Sequence, residues 1–303
     1  AVSATDDPTG AWNYYSIVGD PAALQFPDWT PHGYNQSWIT ITANMFNVTG
    51  GAFAGSKMWV CNKADALAGS PLTVSVFPTG FMTTTHGSGG SSPMPTRDMD
   101  GGSASMYLLN DSFTSGGVFL LQISVISGPA GSPTVAGIPG SPFGGTTSFH
   151  FVSENFTSTL LTMAQLAPET RFISAFSIRM SSALVRNGKI WASNVGSNFP
   201  TPVNETRAYW YQLDPTLSFP GSSLPAPNGM MLQNGRLSGG IGVALVTPSL
   251  AVNCAEDAVI GFSNGDATKY PEASYVFRLG ADAISTTGPI RLLKAGETNY
   301  WKT

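Results

Sequence analysis

Charge is scarce in this sequence. Of 303 residues, 14 are Lys or Arg and 18 are Asp or Glu, together 11%, where about 25% is usual for a soluble domain. The net charge of -4 offers no basic footprint for nucleic acid or an anionic membrane surface. Long apolar runs are missing too. A membrane-spanning helix needs roughly 18 consecutive apolar residues, and the longest stretch, Gly117 to Ile126, is interrupted by Gln122 and Ser124. The sequence therefore predicts no membrane insertion. His32, His86 and His150 are isolated, with no zinc-ligand spacing. There is no P-loop, no dinucleotide fingerprint and no Gly-x-Ser-x-Gly elbow. Helical periodicity is nearly absent.

What is present is turn formers and a core. Gly 34 and Pro 22 lie well above average usage, yet the 42% hydrophobic content excludes a disordered chain. The pattern has period two. Trp38-Ile39-Thr40-Ile41-Thr42-Ala43 alternates, and Thr is a good strand former. Further strands are expected at Lys57–Cys61, Leu72–Phe77, Met106–Leu109, Val118–Ile126, Leu160–Leu166 and Ile190–Ser193. Ala208–Leu213, Val243–Val252, Ala258–Ser263 and Ser274–Leu279 complete the set. One short helix is expected over Lys63–Leu67, with Asn62 as N-cap and Gly69 just past its end. Asn187-Gly188 between apolar runs predicts a type I′ hairpin. A looser turn, Asn253 to Asp257, joins Leu250 to Phe262 in the same way. Thr83–Pro95, Gly128–Gly145, Asn198–Pro202 and Phe219–Gly229 read as surface loops. Many short strands leave a sandwich or a propeller, and a strand-only repeat of several tens of residues favours propeller blades.

The start at Ala1-Val2-Ser3, without Met, suggests a processed end or a boundary. Asn-x-Ser/Thr acceptors occur at Asn35, Asn47, Asn110, Asn155 and Asn204, and low charge with abundant Ser, Thr and Asn suits an extracellular β-protein. Cys61 and Cys254, the only cysteines, are too far apart for a local metal motif. They read either as two buried thiols or as one long-range disulfide, which needs an oxidising compartment. The disulfide is the expectation adopted, because ring closure would bring the ends of a propeller together.

Several segments carry a resemblance. They begin with Thr5-Asp6-Asp7-Pro8-Thr9-Gly10-Ala11-Trp12, Phe26-Pro27-Asp28 and Ala43-Asn44-Met45-Phe46. Arg186-Asn187-Gly188-Lys189-Ile190-Trp191, Pro248 to Ser263 and Tyr270 to Leu279 follow in order. Together they resemble secreted bacterial β-propellers of the sialidase-like, BNR-repeat type, most of which have no assigned activity. The resemblance implies about seven blades, whereas about sixteen strands make four to five blades at four strands each. The ring is then smaller, or part of a longer protein, or completed by a partner chain, since open sheet edges are avoided. No true Asp box is present: Asp7 to Trp12 keeps the span but places Gly one position late.

Sialidase chemistry calls for three arginines, a Tyr nucleophile and a Glu. Arg179, Arg186, Arg207 and Arg278 lie in or beside expected strands, without a spacing that makes a motif. Asp98 and Asp100, in Asp-x-Asp-Gly, could hold Ca²⁺ with backbone carbonyls, although no EF-hand Glu follows. Paired carboxylates for glycoside hydrolysis have only Asp6/Asp7 and Asp98/Asp100 as close candidates, both in turns where Asp shapes the backbone. Trp38, Trp59 and Trp191 read as packing, and Trp29, in a Pro-rich loop, as the best exposed sugar platform.

The expectation is one all-β, propeller-like domain over 1–303 with four-stranded blades, extracellular or at the cell surface. It would serve as a binding or structural interaction module. The alternative is a carbohydrate-active enzyme, a sialidase-like hydrolase or a polysaccharide lyase. A protein partner or self-assembly is expected, with carbohydrate as a candidate ligand, Ca²⁺ as the one candidate cofactor and no nucleic acid.

Overall fold

The computed structural model describes residues 1–78, 92–113, 118–137, 148–155, 162–174, 179–197, 205–217 and 230–300. The chain falls into two compact units, one of residues 1–110 with 122–148 and one of 111–121 with 149–303. Among the described residues both are β apart from one short helix, and no helix there is long and apolar enough to cross a membrane.

The first unit is organised by the ten-residue strands Trp38–Asn47 and Phe53–Asn62, paired from Trp38↔Asn62 to Phe46↔Phe53. Alternation gives each a distinct pair of faces. Trp38, Met58 and Val60 pack with Met106, Leu108 and Ile126. On the other face Ala43, Met45 and Trp59 pack with Ile17, Ile41 and Val74. Val74–Phe77 extends the sheet beyond Phe53–Asn62. Gln25–Asp28 and His32–Tyr34 extend it beyond Trp38–Asn47. The expected helix is there, over Lys63–Ala68: Asn62 accepts a bond from the Ala64 amide, and Gly69 takes the left-handed φ of 67° that closes it.

The second unit contains two antiparallel meanders. Met180–Arg186, Lys189–Ser197, Thr206–Leu213 and Met231–Leu237 form one. Ala244–Val252, Ala258–Asp266, Lys269–Arg278 and Arg291–Lys294 form the other. In both, spatial order follows chain order, which is the four-stranded blade form of a β-propeller. The Asn187-Gly188 turn has φ of 52° and 69°, as a type I′ hairpin requires. The meanders pack face to face through Leu184, Trp191, Trp210 and Leu237 on one side and Leu250, Ile260, Phe262 and Val276 on the other. Trp191 and Trp210 stack at 6.1 Å, and the buried Arg278 guanidinium lies 5.4 Å from the Trp210 ring. Glu256, at a left-handed φ of 63°, ties the hairpin ends together by accepting bonds from Lys189 Nζ and Gln212 Nε2, both at 2.8 Å.

One local device recurs. In Asp7-Pro8-Thr9, Asp214-Pro215-Thr216 and Asp266-Ala267-Thr268, one carboxylate oxygen accepts both the Thr amide N–H and the Thr hydroxyl, at 2.6–2.9 Å.

Two expectations need correction. Cys61 and Cys254 are free thiols. Cys61 sits mid-sheet, paired in register with Ile39 and Val74 and 3% exposed, and burial pushes its pKa up to about 11. Cys254 lies in the exposed Asn253–Asp257 turn. Asn35 and Asn110 are 1% and 0% exposed, so neither is an accessible glycan acceptor. The Asn35 side chain instead turns the chain into Trp38, accepting the Ser37 and Trp38 amides and donating to the Ser103 carbonyl. Asn47 is half-buried at the end of its strand. Asn204 and the Asn155 side chain lie outside what is described. The thiol assignment predicts that an alkylating reagent labels Cys254 alone in the native protein and both cysteines in denaturant without reductant, read by intact mass. A denatured, unreduced chain that takes up no label would restore the bridge.

Candidate functional site

Among the described residues the first unit holds a pocket of about 510 Å³, inside the usual range of roughly 300–1,000 Å³ for small-molecule sites. Its outer wall is the segment between Ile17 and Thr30, and its floor is the sheet face bearing Ile41 and Trp59, with Val48 at the rim. Ile17, Ala23, Phe26 and Pro27 make the wall largely apolar, with Asp20, Gln25 and Thr30 as its polar groups. Phe26, 46% exposed, stacks on Phe46 at 5.9 Å.

Asp20 shapes the wall. Its Oδ2 accepts the amides of Leu24 and Gln25 at 2.8 and 2.9 Å, and Oδ1 accepts that of Ala22 at 3.3 Å. Desolvation raises the carboxyl pKa, but these three bonds and the Lys57 charge outweigh it, so the net shift is downward. Lys57 Nζ donates to the Gly19 carbonyl at 2.7 Å and lies 5.4 Å from the Trp59 ring centroid. The wall is thus anchored at both ends of its polar stretch. Asp20-Pro21, a turn-initiating pair, was the available sequence signal for this residue.

The residues singled out by sequence fall in different places. Asp98 is buried, and its two oxygens accept the amides of Asp100, Gly101 and Ser103 at 2.8–3.1 Å. These three bonds tie Asp98 to its own turn, and Asp100 beside it is exposed. Among the described residues no three His, Cys, Asp or Glu side chains converge as metal ligands. Trp29 is half-buried in a left-handed conformation, φ 50°, between the pocket residues Pro27 and Thr30. Trp38, Trp59 and Trp191 are buried, as packing residues.

Among the arginines, Arg186 donates to the Val252 carbonyl and Arg278 to those of Thr286 and Asp282. Arg207 lies in a cluster with Glu205, Tyr209 and Arg236. It binds Glu205 Oε2 at 2.7 Å, and Ser238 Oγ donates to the other Glu205 oxygen. The Arg207 bond, opposed by desolvation and aided by Ser238 and Arg236, holds the Glu205 carboxyl below its ordinary pKa. Tyr209 stands beside Arg207 and opposite Arg236 in register. Glu205 and Tyr209 are 4% and 2% exposed.

No family model matches the chain, and no curated protein does. Among solved structures, it is similar to Trypanosoma rangeli sialidase in complex with sialic acid, at TM-score 0.44 and 12% identity. That match covers 86% of this chain and 37% of the sialidase. A second structure of Trypanosoma rangeli sialidase gives 0.42 and 10%, covering 88% and 38%. The polysaccharide lyase Uly1 gives 0.38 and 9%, covering 94% and 76%. The chain thus spans well under half of the sialidase. At such identities and scores the fold assignment rests on the strand topology itself.

Proposed function

We propose that the chain is an extracellular or cell-surface binding module whose first unit holds a small ligand in the pocket under the Ile17–Thr30 segment. The supporting observation is the pocket itself: about 510 Å³, apolar-lined, with a few polar groups, which is the make-up of a ligand site. A hydrolytic reading draws on Glu205, Arg207, Tyr209 and Arg236, but the carboxylate and phenol of that cluster are buried and the carboxylate is already paired. Val48 is 60% exposed at the rim of the pocket, so Val48→Asp places a charge there without disturbing a core. In a ligand-observed NMR screen of small neutral, charged and glycosidic compounds against the full chain, bound compounds should be lost in Val48→Asp. Binding unchanged by that substitution removes the pocket from the reading. Steady consumption of a glycoside, not its retention, would favour the hydrolase.

A further inference from the structure

We infer that the pocket selects an uncharged, mainly apolar molecule carrying one hydroxyl or N–H donor, an aromatic or alicyclic alcohol, and not a sugar; this rests on the pocket being the binding site proposed above.

Three features of the lining carry the inference. Ile17, Phe26, Ile41, Val48 and Trp59 offer carbon on the floor, rim and wall. A sugar would bring hydroxyls on every side into that lining, and each buried hydroxyl without a partner costs free energy. Charge is the second feature. Among the described lining residues Asp20 is the only ionisable side chain, and it disfavours an anion. The Lys57 ammonium, fixed on the Gly19 carbonyl, already acts on the Asp20 carboxylate. A second cation would lose its hydration for a charge that is partly neutralised. The third feature is an acceptor beside the Gln25 and Thr30 groups that has a site left. Oδ2 of Asp20 is filled by two amides, whereas Oδ1 has one bond at 3.3 Å. A carboxylate oxygen accepts two, so Oδ1 has room for one donor from a ligand.

Calorimetric titration of the full chain with five probes tests this: phenethyl alcohol, its methyl ether, phenethylammonium, phenylpropionate and glucose. The alcohol should bind about fivefold tighter than the ether, which lacks the donor. It should bind about tenfold tighter than either ion, and glucose should give no signal. Asp20→Asn keeps an oxygen for the Leu24 and Gln25 amides and replaces Oδ1 by a donor. It should erase or reverse the preference for alcohol over ether, while continued binding of the ether shows that the wall is still folded. Equal binding of alcohol and ether by the wild type, or an ion or glucose binding as well as the alcohol, overturns the ligand class and leaves the pocket reading standing. No binding by any probe to a chain folded by circular dichroism overturns both.

Discussion

Replacing Trp210 by alanine should lower the stability of the second unit by about 3–5 kcal/mol, the range for deleting a buried aromatic side chain. Trp210 is 1% exposed and lies where three things meet. Trp191 stacks on it, Arg278 covers its ring, and the apolar faces of both meanders close around it. The substitution leaves a cavity between two sheets, and sheets held by paired backbones cannot collapse into it. It also leaves the Arg278 guanidinium, 2% exposed, without the ring that shields it. Urea denaturation followed by near-ultraviolet circular dichroism gives the number. A loss below about 1 kcal/mol, typical of a surface change, would mean that the two meanders are not packed as described.

Gly235→Val should be as damaging, for the opposite reason. Gly235 pairs directly with Trp210 across the strands. A Cβ built there would stand 2.1 Å from Trp210 Nε1 and 2.5 Å from Cε2. The indole lies over the glycine, and only hydrogen fits beneath it. Overpacking costs about 1–3 kcal/mol in ordinary cores. Here the obstacle is a fixed ring, and valine adds two further carbons, so the upper end or beyond is expected. The cause can be isolated by a double-mutant cycle. In a Trp210→Ala background the ring is gone, and Gly235→Val should cost little or recover stability. Strict additivity of the two changes would show that the glycine is needed for its backbone and not for the space above it.

The elements legible in the sequence are those whose cause is local. Alternation in Trp38–Ala43 announced a strand, and Asn62 and Gly69 bracketed the helix because capping acts over a few residues. Asn187-Gly188 fixed its hairpin through two φ angles. The pocket was not legible. Its wall, Ile17 to Thr30, has no periodicity, and of its floor residues Ile41 reads as part of a strand and Trp59 as packing. Only long-range docking of the wall on the sheet turns them into a lining. The same limit explains the corrections. An Asn-x-Ser triplet says nothing of burial, so Asn35 reads as an acceptor although its side chain shapes the turn before Trp38. The cysteine bridge rested on an assumed closure of the ring and on no contact at either residue.

The Asp-x-Thr turns have a consequence for how such a chain can grow. Each is closed by one carboxylate oxygen holding an amide and a hydroxyl two residues later, so the closing bonds are supplied within three residues. Asp7-Pro8-Thr9 and Asp214-Pro215-Thr216 even share the same three letters. A turn that carries its own closure survives duplication, transfer between loops and drift in the flanking strands. In a protein assembled from repeated meanders, such turns behave as interchangeable fasteners, inherited with each copy and indifferent to what the neighbouring surfaces later come to bind.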